Sequence, residues 1–218
     1  MCSTVERAVF VAQLYGGTYS KEDLLQRIGH LSQVGGIDLL EAADGPARGV
    51  RLLNFRTGSG LVFQVALDRG MDIGRCEYRG MPAGWVPPTQ FPSPWLFSEE
   101  QGFGWLRNSL GGLMNTCGLV HIGNHDQYDV SHYGFEARNV EVHGVHDRIA
   151  RAPAKLLHYG ERWEGDDCLL EAVGEVRQSH PFGENLQLVR RYAARLGSSS
   201  FTITDKVTNC GYSSTRHQ

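Results

Sequence analysis

The sequence predicts a mainly β protein: antiparallel strands in at least two layers, with one amphipathic helix near the N-terminus. Three observations carry this. The 27 glycines fall between short segments whose apolar residues alternate with a period of two. Four strand-like segments follow one another at short spacing in the last third. Helical periodicity is clear only over 20–34.

That helix reads SKEDLLQRIGHLSQV. Ser20 is placed as its N-cap, Glu22 and Asp23 suit the positive first turn, and Leu24, Leu25, Ile28, Leu31 and Val34 recur at helical spacing before Gly35-Gly36 stops it. The period then changes. VRLLNFRTGSGLVFQVAL, 50–67, predicts a hairpin turning at Thr57-Gly58-Ser59-Gly60, and MDIGRCEYRG continues in extended form. The four prolines of PPTQFPSPW, 87–95, predict a loop. FGWLRNSLGGLMNTCGL, 103–119, reads as a short helix running into a turn. Residues 121–146 hold five of the nine histidines in a polar setting and read as an excursion over a site. KLLHYGERWEG, CLLEAVGEVRQ, NLQLVRRYAARL and SFTITDKVTN make a meander that needs a second layer over its apolar face. No repeat, linker or second domain is visible, so 1–218 reads as one domain.

Composition excludes several classes. With 218 residues the chain can bury a substantial core. A formal charge of −3 argues against nucleic acid as a main partner, because phosphate binding needs a cationic surplus. No apolar run approaches the ~18 residues a membrane span requires. The N-terminal MCSTVERAVFVAQLYGG lacks a basic leader and reads as mature protein. Five scattered cysteines without a CxxC pair fit free thiols and a reducing, cytoplasmic setting.

The segment EVHGVHDRIARAPAK, 141–155, concentrates the candidate chemistry. His121 and His125 have i,i+4 spacing, but Gly123-Asn124 argues against a helix there. His143 and His146 on a strand would face opposite sides, so no metal site is assigned and no cofactor is implied. His146 stands where a strand turns, beside Arg148. An imidazole there suits proton donation near neutral pH. Arg69 and Asp72 pair a forked donor with a carboxylate, which suits hydroxyl recognition or a structural ion pair beside a turn. Arg107 precedes the glycine-rich 111–118 and has the same two readings. Cys117 reads as a buried small residue.

The runs SKEDLLQRIGHLSQVGGI, DRGMDI (68–73), GGLMNTCGL (111–119), GVHDRIARAPA (144–154), GENL (183–186) and DKVTNCGYSSTRHQ (205–218) together resemble the aldose 1-epimerase-related branch of the galactose mutarotase-like superfamily. The resemblance implies a β-supersandwich with a sugar-binding cleft on its concave face. There a carboxylate takes the proton of the anomeric hydroxyl, and a histidine protonates the ring oxygen. The ring opens and recloses on the other face. His146 matches the family's histidine motif. Arg107 matches the arginine near the glycine-rich turn, Asn115 falls in a site-lining segment, and Arg148 is placed to face the sugar.

Two departures stand out. The motif reads Val145-His146-Asp147 where a glycine usually follows the histidine, so Asp147 either raises the pKa of His146 or crowds it. The family's second histidine and its catalytic carboxylate have no matched position. The chain therefore reads as a C-terminally incomplete sandwich with an open sheet edge, suited to self-association or to a partner that completes it. The expected ligand is a small-molecule sugar. Three functions follow: an aldose 1-epimerase-like isomerase, if the cleft is complete; a carbohydrate-binding module without turnover, using Trp85, Trp95 and Trp105; or a metal-dependent cupin-type isomerase, whose ligand spacing the sequence does not match.

Overall fold

A computed structural model describes residues 11–146 and 148–218. Its frame is two antiparallel sheets. After a small hairpin of β1 (Ala12–Leu14) and β2 (Gly17–Tyr19) comes α1 (Lys21–Leu25). The first sheet follows as a meander of five strands: β3 (Gly36–Glu41), β4 (Arg51–Arg56), β5 (Leu61–Ala66), β6 (Asp72–Tyr78) and β7 (Met81–Pro82). A long excursion then carries α2 (Gly104–Asn108) and the ribbon of β8 (Asp126–Asp129) and β9 (Val140–His143). The second sheet is the meander β10 (Lys155–Glu164), β11 (Asp167–Ser179), β12 (Asn185–Arg195) and β13 (Phe201–Asn209), in sequence order.

The two sheets bury one core between them. Leu53, Phe55, Phe63, Val65 and Ile73 come from the first, and Leu170, Ala172, Val176, Leu188, Tyr192 and Ala194 from the second. Phe63 stacks on Phe55 at 4.5 Å and on Phe201 at 4.3 Å, so a short aromatic column spans the layers. The alternation read from the sequence is present. Along β11 and β12 every second residue is buried, and the hairpin at 57–60 turns where expected. Cys76, Cys117, Cys168 and Cys210 are free thiols. The readings that involve residues 1–10 and Asp147 lie outside the described residues.

The N-terminal helix is much shorter than its periodicity predicts. Ser20 does cap it, its hydroxyl accepting from the Asp23 N–H, but it ends after Leu25. Gly29 follows, and His30 caps a separate 3-10 turn at Leu31–Gln33 through its own ring nitrogen. Glycine in a helix interior costs about 1 kcal/mol. Leu25 remains 45% exposed, so little burial on that face offsets the cost.

The motif 68–72 is the joint that fixes the excursion to both sheets. Asp68 is buried and takes paired bonds from the Arg51 guanidinium. Arg69 is 1% exposed. It donates to Pro92 O at 3.1 Å and to both the side chain and the carbonyl of Asn108, tying β5 to the proline loop and to α2. Asp72 is fully buried. It accepts from Thr116 Oγ1 at 2.5 Å and from Arg190 Nη1 at 3.2 Å, and Arg190 is held in turn by Asp205 through two bonds.

Candidate functional site

The ribbon β8–β9 has an unusual sidedness. Val140 and Val142 face outward, 55% and 51% exposed, while Glu141 and His143 are buried. The inward face is a polar cluster. Glu141 accepts from Arg138 at 2.5 Å and from Arg148 at 2.8 Å, and its second oxygen lies 3.6 Å from His143 Nε2. Glu184, also buried, stands 3.7 Å from the same Arg148 nitrogen. Burial opposes ionisation of Glu141, but the nearby His143 ring, the bond from Arg148 and the Arg148 charge outweigh it, holding the carboxyl down at about 2.

His121 lies behind this row, its ring 4.9 Å from that of His143. Its Nε2 faces the carbonyl of Gly144 at 3.2 Å, which only accepts, so Nε2 carries the proton. Nδ1 then accepts from the Tyr128 hydroxyl at 2.7 Å. Residues 214–218 lie across the same region. Arg216 sits 4.0 Å over the Tyr128 ring, and the Gln218 side chain accepts from the Ile122 N–H.

In front of the cluster is a small recess of about 40 Å³, lined by Phe97, Glu99, Trp105, His143, His146, Arg148 and Arg151. Its back wall is a close backbone crossing. A Cβ on Gly144 would stand 2.6 Å from Gly102 O, so only glycine lets the two segments meet. The Val145 N–H donates to that same Gly102 carbonyl. His146 follows with φ +57°, a left-handed conformation uncommon outside glycine. Two bonds to Gly123 hold it: its N–H donates to Gly123 O at 2.8 Å, and its Nδ1 accepts from Gly123 N–H at 3.2 Å. The second bond fixes the tautomer, leaving Nε2 as the protonated nitrogen of the neutral ring. Burial, and then the nearby His121, which resists a second positive charge beside it, hold the imidazole below its usual pKa. Trp105 packs edge-on at 4.5 Å, and its buried indole N–H has no hydrogen-bond partner among the described residues. Arg151 lies 3.5 Å over the Phe97 ring.

The structure thus brings together His146 and Arg148 of the residues singled out in the sequence. The other four lie elsewhere. Arg69 and Asp72 serve the joint described above. Burial weakens the hold of Arg69 on its proton, to about 10, and pushes the Asp72 carboxyl up to about 6 despite the Thr116 bond and the Arg190 charge. With solvent shut out at both, the hydroxyl-recognition reading gives way to a structural one. Arg107 points outward and pairs with Glu100 at 2.5 Å. Asn115 donates weakly to Ser109 Oγ at 3.5 Å, and its buried Oδ1 lacks a partner among the described residues.

The sequence reading gave Glu141 no role and weighed His143 only as a metal ligand. The only signal for these two was the strand VEVH itself, in which either face could have been the buried one. Trp105 had been read only as an aromatic surface for a sugar.

A family model described as a domain of unknown function, DUF4432, matches residues 47–218. The chain belongs to this family. No curated protein matches it in sequence. Two solved structures resemble it. One is a candidate aldose 1-epimerase from Klebsiella pneumoniae subsp. pneumoniae MGH 78578, 23% identical, with a TM-score of 0.68 over 80% of this chain and 43% of the other. The second is a galactose mutarotase-like protein from Clostridium acetobutylicum, 12% identical, with a TM-score of 0.47 over 79% and 48%. The fold of this DUF4432 chain is therefore mainly β and like that of the Klebsiella protein. The chain spans less than half the length of either matched structure. Among the described residues, no helix is long and apolar enough to cross a membrane.

Proposed function

We propose that this DUF4432 chain is a carbohydrate-binding, aldose 1-epimerase-like protein that acts at the anomeric centre of a free sugar, with His146 as the hydrogen-bond donor to the ring oxygen. One observation carries the reading: His146 is locked as a neutral Nε2–H donor in a recess that also holds Arg148 and Trp105. Ring opening passes the anomeric O–H proton to solvent water at the mouth of the recess, while water returns one to the ring oxygen. The C1–O5 bond breaks as C1–O1 becomes a carbonyl, C1–C2 rotates, and the reverse transfers close the other anomer. Nε2–H of His146 donates a hydrogen bond to the ring oxygen and steadies the charge that develops there, Arg148 donates to a neighbouring hydroxyl, and the Trp105 ring offers apolar surface to the sugar's C–H side. A volume of about 40 Å³ admits the reacting edge of a pyranose rather than the whole ring, so the rest of the sugar lies outside the recess.

A second reading, binding without turnover, is favoured by Glu141. A carboxyl held at about 2 by its cationic neighbours is a poor proton acceptor, and it is buried behind His143. One experiment separates the two. Crystalline α-D-galactose is dissolved with the protein, and the anomeric proton signals are followed by NMR. Equilibration faster than buffer, lost in His146→Ala at unchanged melting temperature, supports turnover. Saturable shifts of recess amides without acceleration select binding alone. Neither effect, at any sugar concentration up to solubility, sinks both.

A further inference from the structure

Four turns meet at one end of the sandwich and enclose a cleft of about 610 Å³, which shares no residue with the recess. They are Tyr15-Gly16 between β1 and β2, 57–60 between β4 and β5, Arg79-Gly80 between β6 and β7, and 197–200 between β12 and β13. The floor is cross-linked. Gly197 N–H donates to Thr57 O at 2.6 Å, Ser59 Oγ to Ser198 O at 2.7 Å, and Arg79 N–H to Gly60 O at 2.8 Å. Such a floor is formed before any ligand arrives.

The walls carry side chains that the turns themselves disfavour. Both two-residue hairpin turns have the type I′ pattern of positive φ: Tyr15 +52° with Gly16 +80°, and Arg79 +52° with Gly80 +78°. Asn, Asp or Gly suit the first position of such a turn; tyrosine and arginine do not. Tyr15 is 75% exposed, so its ring gains almost nothing from packing in return. Arg79 lies 5.1 Å over the Tyr78 ring and has no carboxylate partner among the described residues. Exposed Gln13, Thr18 and Ser199 line the same cleft, their side chains without hydrogen-bond partners among the described residues. Among the described residues of the lining Arg79 is the one charged group, and none of them is an acid.

We propose that this cleft binds an anionic saccharide, a sugar ring bearing a carboxylate or sulfate. Tyr15 and Tyr78 take the C–H faces of the ring, Arg79 takes the anionic group as a forked donor, and the hydroxyl and amide side chains take the sugar's own hydroxyls. The volume lies within the range of ordinary small-ligand sites.

The test is a titration of the whole chain with D-glucuronate, followed by amide NMR shifts, with D-glucose and sodium sulfate as separate probes. The variants are Tyr15→Asn and Arg79→Asn, which give each turn the residue it prefers and so preserve or raise the melting temperature. Saturable shifts are expected at the turns 15–16, 57–60, 79–80 and 197–200. Glucuronate should bind more tightly than glucose or sulfate, and each variant should weaken it roughly 10-fold. His146→Ala should leave this titration unaltered, which separates it from the anomeric chemistry at the recess. Absence of saturation, an affinity in both variants unchanged from the parent, or sulfate binding as well as glucuronate would each overturn the proposal.

Discussion

The meander β10–β13 and the ribbon β8–β9 are both antiparallel and both alternate with period two, yet they bury opposite kinds of side chain. In β11 the inward row is Cys168, Leu170, Ala172, Gly174, Val176 and Gln178, so apolar burial sets its orientation. In β9 the valines face outward and the ion pairs lie inside. A long strand on a core sums many apolar contacts and has one stable register. A four-residue strand has two valines to bury, and here the bonds among Glu141, Arg138, Arg148 and His143 set its face instead. Hydrophobic alternation therefore supplies a period in both regions, but a direction only in the first.

The largest expected effect tests where the two regimes meet. Arg190 lies in the inward row of β12 between Leu188 and Tyr192, the one cation in that row, and it answers Asp72 on the opposite sheet. Arg190→Ala leaves Asp72 buried beside an emptied space. It is expected to destabilise the fold by about 3–5 kcal/mol in urea denaturation. A loss below 1 kcal/mol would mean that the joint at 68–72 does not depend on the pair. Glu141→Gln strikes the ribbon alone. It keeps the shape but removes the charge that Arg138 and Arg148 share, for a cost of about 1–3 kcal/mol. Amide exchange should accelerate over β8 and β9 and stay unchanged in β11 and β12. Equal acceleration in all four strands would erase the distinction between ribbon and meander.

The difference also explains what could be read from the sequence. The four-strand meander and the 57–60 hairpin were legible because each apolar row is long enough to exclude the shifted register. The site was legible only in part. His146 and Arg148 share a segment and end in one recess, but Arg69 and Asp72 have the same residue types as a hydroxyl-binding pair. They serve instead as buried anchors for Asn108, Thr116 and Arg190, partners 39 or more positions away in sequence. Nothing local distinguishes a forked donor facing a sugar from one facing a carbonyl. Helical periodicity over 20–34 misled for a related reason. It counted leucines without asking whether Leu25 had anything to pack against.

Acid titration sharpens the contrast, because one buried carboxylate in each region shifts in the opposite direction from the other. Glu141 in the ribbon has a folded pKa of about 2, below its ordinary 4.5. Its contribution is fully present above 4.5 and is lost as pH falls toward 2. Asp72 in the joint is raised from 3.8 to about 6, so folding disfavours its ionised form. Its contribution is full below 3.8 and is lost as pH rises through 6. Stability is therefore expected to rise as pH falls from about 6, to turn over between 4.5 and 3.8 where the two effects offset, and to decline below that, with slopes of at most about 1.4 kcal/mol per pH unit for each group. Asp72→Asn should remove the first limb and Glu141→Gln the second. A monotonic curve in the parent protein would contradict the opposed shifts.

The smallest expected effect bears on the ribbon's outer face. If Val142 meets water as it does here, Val142→Thr keeps the β-branched shape suited to a strand and changes only an exposed methyl, so stability should move by no more than about 0.5 kcal/mol. The same exchange at Val176, fully buried in β11, sets a hydroxyl among apolar neighbours without a water to bond and should cost about 1–3 kcal/mol. The ratio of the two is the direct measure of sidedness. Should Val142→Thr prove as costly as Val176→Thr in thermal melts, the valine face is covered in solution, and the ribbon is held by apolar contact on that side as well as by charge on the other.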